Sequence, residues 1–138
     1  MISIDKLLSL EREEISGAAE AVSQSDIWLL IDLLNEKDDK IRYHALLLLQ
    51  SRSEYMEDVF PYWDIFCTKL KSDNSYQRNI GLMLLADNVK WDQENKIDQI
   101  IDEYLMLYSS GEMDNYISDA LTGAILDNKS KKQIGLML

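Results

Sequence analysis

The sequence has few of the residues that break helices or form cross-links. Its 138 residues include one proline, five glycines and one cysteine, Cys67. A scarcity of proline and glycine favours long helices over many short strands. A single cysteine excludes an intrachain disulfide and zinc sites built on several thiolates, and His44 is the only histidine. We therefore expect no metal, no cofactor and a reducing compartment.

Basic residues and long apolar runs are also scarce. Lysine and arginine number 14 against 25 acidic residues, so the net charge is −11. An acidic chain repels phosphate backbones, so we expect no nucleic-acid partner, and its charge favours a basic protein partner or serves solubility. The start lacks a signal-peptide pattern, and no run approaches the roughly 20 apolar residues of a membrane span. We expect a cytoplasmic protein with no membrane partner.

Apolar residues make up 46% of the chain and recur at helical spacing. The segment Ile4–Val22 is predicted to form an N-terminal helix capped by Ser3, with Ser16-Gly17 as a candidate break. Pro61 suits the first turn of a later helix. Further helical stripes lie within residues 27–34, 41–50, 61–70, 80–85, 97–108 and 116–126. The pattern predicts an all-α protein without a sheet.

One arrangement of residues recurs along these stripes. An acidic turn is followed by an arginine, a small residue and a leucine. The first copy has Asp38-Asp39, Arg42 and Ala45-Leu46, the second has Asp73-Asn74, Arg78 and Gly81-Leu82, and a fainter third has Asp114, Ile117 and Ala120-Leu121. The small residues are separated by 36 and 39 positions. We expect the turn aspartate to accept hydrogen bonds from helix-start N–H groups, the arginine to reach turn carboxylates or carbonyls, and the small residue to permit close helix packing.

This pattern resembles the HEAT and armadillo-like helical repeat family, including short bacterial HEAT-like proteins. The resemblance covers about Asp26 to Asp127, and it departs from the family where Ile117 replaces the arginine. It implies one domain, residues 1–138, folded as a right-handed α–α superhelix of about three hairpins plus an N-terminal helix. The repeats would span roughly 26–52, 61–88 and 95–127. A plain helical bundle is the alternative.

No catalytic motif is evident. The carboxylate pairs Asp98/Asp102 and Glu54/Asp58 have the spacing of a solvated helix face. Cys67 aligns with core positions, and neither a nucleophile elbow nor a glycine-rich phosphate loop occurs. Trp63 aligns with the core, whereas Trp28 and Trp91 are expected to be partly exposed. Alkylpurine DNA glycosylases are similar in using HEAT-like repeats, but no catalytic residue carries over, so we expect no enzyme.

The resemblance implies macromolecular binding, with the second helix of each repeat lining a concave face. On the helix 41–50, one strip lies opposite the leucine stripe, and the repeat offsets carry it along the chain. This predicted strip comprises Lys40, Tyr43, His44, Leu47, Tyr76, Asn79, Met83, Asn115, Ser118 and Thr122. Packing of these residues against adjacent helices is the competing interpretation.

The resulting hypothesis is a non-enzymatic scaffold or adaptor that binds another protein. A nucleic-acid-directed protein related to DNA alkylation repair is the alternative, and a piece of a larger solenoid is a third. Self-association through the apolar segment 134–138 stays open.

Overall fold

A computed structural model describes residues 3–100 of the chain. This range contains helices and turns and no strand, so the all-α prediction is confirmed for it. The α-helices are α1 (Ile4–Ser9), α2 (Ile15–Ala21), α3 (Ile27–Leu33), α4 (Asp39–Tyr55), α5 (Trp63–Lys69) and α6 (Ser75–Asn88). Short 3₁₀ turns cover Arg12–Glu14, Gln24–Asp26, Phe60–Tyr62, Val89–Trp91 and Lys96–Gln99. Within the described range, no helix has the length and apolar character that a membrane crossing requires.

The chain divides into two compact units, Met1–Asp64 and Ile65–Leu138. In the first unit, the long helix α4 packs against α1, α2 and α3. The fully buried side chains of this unit include Leu7, Ile27, Leu30, Leu34, Leu48 and Leu49. In the described part of the second unit, the buried side chains include Phe66, Leu70, Ile80, Leu82, Leu84, Leu85 and Val89. Each unit therefore has its own apolar core.

The predicted N-terminal helix is two helices. Ser3 caps α1 as expected, since its hydroxyl accepts a hydrogen bond from the Lys6 N–H at 3.2 Å. The break falls at Leu10, however, and Ser16-Gly17 lies inside α2. The reason is a capping box in the charged run: Glu11 N–H donates to Glu14 Oε1 at 2.9 Å, which starts a new helical segment.

The turns before α4 and α6 are closed in the same way. Asp38 Oδ1 accepts hydrogen bonds from the N–H groups of Lys40 and Ile41, at 2.9 and 3.2 Å. Asn74, placed 36 residues later, accepts from the next two equivalent N–H groups at 3.1 and 3.5 Å. These contacts confirm the predicted capping role of the turn aspartate at Asp38, whereas in the second copy the cap is Asn74 and not Asp73. By contrast, Asp26 occupies the cap position of α3 without a side-chain capping bond.

In each of these turns, an arginine of the following helix donates hydrogen bonds to groups of the turn. Arg42 donates from Nη1 to the carbonyl oxygens of Glu36 and Lys37 at 2.9 and 3.3 Å, and from Nη2 to the Asp39 carboxylate. Arg78 donates from Nη1 to the Ser72 carbonyl oxygen at 2.8 Å. Both arginines reach six residues back, so the predicted contact with turn groups is confirmed within each arginine's own turn.

Core positions 36 residues apart also share their burial. Ala45 and Gly81 are both buried, as are Leu46 and Leu82. Leu48 and Leu49 are buried as well, whereas Leu47, which belongs to the predicted strip, is half-buried. Trp63 follows the turn that contains Pro61 and is buried, as expected. The centre of its ring lies 5.4 Å from the centre of the Phe60 ring.

Gly81 lies where α6 approaches α5 closely. A methyl group added at its Cα would stand 2.7 Å from the Phe66 carbonyl oxygen and 3.0 Å from Lys69 Cβ. Lys69 is itself held, because its Nζ donates to Gln77 Oε1 at 2.6 Å and it is buried. The nearest atom belongs to the backbone of a packed helix, so the added carbon requires that helix to shift.

Two glycine-to-alanine substitutions should have opposite effects on stability. Gly81→Ala should lower the free energy of unfolding by about 1–2 kcal/mol, because overpacking outweighs the roughly 1 kcal/mol gain in helix propensity. Gly17→Ala should raise it by about 0.5–1 kcal/mol, because its added carbon meets no atom within 4 Å. Urea unfolding of both variants measures the difference. Equal shifts of the same sign would contradict the close approach at Gly81.

Candidate functional site

The first part of the predicted strip lies along one side of α4. Lys40 and Tyr43 are exposed, and the Tyr43 side chain is 56% accessible. His44 and Leu47, one helical turn further, are half-buried. Residues three and four positions apart are neighbours on a helix, so these four side chains form one continuous surface of mixed aromatic, basic and aliphatic character.

Local contacts order this surface. His44 Nδ1 lies 2.8 Å from the Lys40 carbonyl oxygen, which can only accept, so the ring donates from Nδ1. In the neutral ring the other nitrogen, Nε2, is then an acceptor. The Tyr43 ring meets the His44 ring edge-on, with centroids 6.1 Å apart and planes at 87°. The His44 ring is therefore held by a hydrogen bond to the helix backbone, and the Tyr43 ring packs against it.

The second part of the predicted strip lies along α6 in the other unit. Tyr76 is exposed, while Asn79 and Met83 are half-buried. These residues are one turn apart on the same helix, and the exposed member is again aromatic. Asn115, Ser118 and Thr122, the third part of the strip, lie outside the described residues.

Sequence reasoning missed the hydrogen-bonding role of Arg52, a buried arginine of the first unit. Its Nη1 donates to three carbonyl oxygens at the end of α2, those of Ala19, Glu20 and Val22, at 2.8, 3.1 and 2.7 Å. Its Nε and Nη2 donate to the Asp58 carboxylate at 2.6–3.2 Å. The two side chains are 5% and 8% exposed. Arg52 thus joins α2 to the segment that follows α4.

The electrostatics of this cluster hold the arginine charged. The hydrogen bond with Asp58 raises the pKa of Arg52, and the charges of Asp58 and Glu20 add to it, while burial acts in the opposite direction. The prediction that Glu54 and Asp58 share a solvated helix face is wrong, because α4 ends at Tyr55 and Asp58 turns in to meet Arg52.

A cleft of about 290 Å³ opens beside this cluster, between α2 and the end of α4. It is lined by Ser16, Glu20, Ser51, Arg52, Tyr55 and Met56. Tyr55 is 78% and Met56 43% exposed, so the apolar part of the wall stands in water. We call this the α2/α4 cleft. A second cleft of about 250 Å³ lies between the ends of α1 and α2, around Leu10 and Val22.

Other residues singled out in the sequence have the following surroundings. Trp28 is 53% exposed and Trp91 is half-buried, so the predicted partial exposure of both residues is confirmed. Lys90 Nζ lies 5.8 Å from the centre of the Trp91 ring, within range of a cation–π interaction. Cys67 is half-buried, so its assignment to the core is only partly right. Among residues 3–100, no three histidine, cysteine or acidic side chains are grouped to hold a metal ion.

Among the described residues, the exposed aromatic side chains are thus Trp28, Tyr43, Tyr55 and Tyr76. No protein-family model matches the chain, and no curated protein or solved structure is significantly similar to it.

Proposed function

We propose that this protein is a non-enzymatic interaction module of the HEAT-like type, which binds another protein along the second helices of its hairpins. The observation that carries the proposal is the exposed aromatic surface of α4, where Tyr43 stands 56% accessible between Lys40 and Leu47. Tyrosine and methionine are both enriched at protein interfaces. Tyrosine contributes a large contact area with few rotatable bonds, and the flexible thioether of methionine adapts to irregular surfaces.

The HEAT-like assignment is supported by the turns. The pairs α3/α4 and α5/α6 share a cap residue, a turn-fastening arginine and a small buried residue at an offset of 36 positions. A hairpin of this kind cannot cover its apolar face alone, so successive hairpins stack in a helical solenoid. In such a stack the second helices line one face, and Tyr43 and Tyr76 each lie on the second helix of their pair.

The alternative, a nucleic-acid-directed protein, is the weaker proposal. A phosphate-binding surface needs accessible basic side chains, and Arg42, Arg52 and Lys69 are buried. The net charge of −11 adds to the repulsion. Duplex DNA binding that weakens steeply with added salt would reverse this ranking.

The proposed interaction is tested by crosslinking from α4. A photoreactive phenylalanine derivative placed at Tyr43 of the full chain should capture a protein partner in the native lysate. The same group placed at Trp28, an aromatic residue of similar exposure on α3, should not. With the partner purified, Tyr43→Ala and Met83→Arg should each weaken binding about tenfold or more, as expected for anchoring residues.

The matched variant Trp28→Ala should change the affinity less than threefold, roughly the effect of a peripheral contact. Circular dichroism should show that all three variants keep their helix content. Loss of binding in Trp28→Ala, with Tyr43→Ala unchanged, would place the interface on the first helices and overturn the proposal.

A further inference from the structure

The α2/α4 cleft has features that the proposed binding strip does not explain. A tyrosine ring and a methionine thioether, adjacent in sequence, stand exposed on its wall and offer aromatic and apolar contact area to a partner. The lining also includes the carboxylate of Glu20, an exposed residue of α2. The cleft therefore combines an aromatic and apolar wall with an acidic side chain.

The walls of this cleft are fixed by the Arg52 cluster. Arg52 binds three carbonyl oxygens at the end of α2 and the carboxylate of Asp58, so both sides of the cleft are tied to one side chain. Met56 is held as well, since its N–H donates to the Arg52 carbonyl oxygen at 3.0 Å. A ligand would meet a preformed surface, which lowers the entropic cost of binding.

The charge of the cleft is negative. Asp58 neutralises Arg52, and the nearby carboxylate of Glu20 adds one further negative charge on the cleft wall. The first unit as a whole has 14 acidic and 6 basic residues, a net charge of −8. Two of those basic residues, Arg42 and Arg52, are buried, so the accessible surface is more acidic than the count suggests.

We propose that the α2/α4 cleft binds a basic segment of a protein partner, with a lysine or arginine side chain placed against the Tyr55 ring and the Glu20 carboxylate. The cation is attracted by the face of the aromatic ring and by the acidic side chain. The aliphatic stem of the same side chain then packs on Met56. The inference rests on the proposed function only in its class of ligand, a protein, and it concerns a different surface.

The probe is a short synthetic peptide of alternating lysine and glycine, titrated at low salt into the ¹⁵N-labelled full-length protein. Amide signals of residues 16–20 and 51–56 should shift more than those around Tyr43. The same peptide with glutamate in place of lysine should shift neither set. Glu20→Gln and Tyr55→Ala should each weaken binding at least about threefold, the size expected of one cation–π or ion-pair contact.

Two control variants distinguish specific binding in the cleft from general electrostatic attraction to an acidic protein. Tyr55→Phe keeps the ring and should bind like the parent. Glu36→Gln removes an exposed carboxylate in the turn before α4, at the opposite end of that helix from the cleft, and should have less than a twofold effect. Equal weakening by Glu36→Gln and Glu20→Gln would overturn the cleft, since the peptide then senses only net charge. Shifts centred on Tyr43, or no binding at all, would also overturn it, and crosslinking at Tyr43 would still test the proposed function separately.

Discussion

Leu82→Asp should leave the protein unfolded or nearly so at room temperature. Leu82 is fully buried in α6, and its counterpart Leu46 is 8% exposed in α4. An unpaired carboxylate at such a position costs several kcal/mol, which is comparable to the roughly 5–15 kcal/mol that stabilises a whole domain. Leu46→Asp should be similarly damaging in the first unit. Loss of the cooperative thermal transition in circular dichroism is the measurement.

The controls are apolar residues that already stand in water. Ile65→Asp, on α5, and Leu8→Asp, on α1, introduce the same carboxylate at exposed sites and should change stability by less than about 1 kcal/mol. If Leu82→Asp melted like Ile65→Asp, the burial of the leucine stripe in α6 would be wrong.

Arg52→Met should lower the free energy of unfolding by about 3–5 kcal/mol. The substitution keeps the length and apolar stem of the side chain but leaves Asp58 as an uncompensated buried charge. It also leaves the carbonyl oxygens of Ala19, Glu20 and Val22 without the guanidinium donor. Chemical denaturation of the variant and the parent gives the difference directly.

Companion variants separate the two contributions. Arg12→Met removes an exposed arginine and should change stability by less than about 0.5 kcal/mol. The double variant Arg52→Met, Asp58→Leu removes both charges and should recover part of the loss, but not the part due to the α2 carbonyl oxygens. Full recovery in the double variant would show that those three hydrogen bonds add little.

The sequence predicts most accurately those contacts that lie close together along the chain. Ser3 and Asp38 are found as caps because a capping side chain and its N–H partners are two or three residues apart, and in the second turn the cap is Asn74, next to the predicted Asp73. Arg42 and Arg78 are likewise recognised because they follow their turns at a fixed distance. Burial of Leu46 and Leu82 follows from helical periodicity.

Contacts between distant residues escape such reasoning. The carbonyl partners of Arg52 lie 30–33 positions upstream, so no local pattern signals them. One indication does exist: with Ala45 and Leu49, Arg52 continues the buried stripe of α4 at helical spacing. A charged residue on a buried stripe needs a partner. Glu57 and Asp58 are the acidic residues just beyond the end of α4, and in the structure Asp58 is the one that turns inward.

The candidate surfaces show the same division. Exposure of Tyr43 on α4 could be inferred from its position opposite the leucines. The α2/α4 cleft could not, because it depends on how α2 packs against the end of α4, more than 30 residues later. The predicted break at Ser16-Gly17 also differs from the observed one at Leu10, since the capping box of Glu11 and Glu14 starts a new helical segment before α2.

The spacing of these contacts along the chain has a consequence for how the first unit folds. The turn before α4 is closed by Asp38 and Arg42 across no more than six residues, so its loop-closure entropy is small and it can form early. The hydrogen bonds of the Arg52 guanidinium can form only after α2 has packed against the end of α4. Stabilisation added late in folding mainly slows unfolding. The Arg52→Met protein should therefore fold at nearly the parental rate and unfold much faster, and stopped-flow mixing would separate the two rates. That result would mean that the contacts of the Arg52 guanidinium act mainly by slowing the unfolding of the first unit.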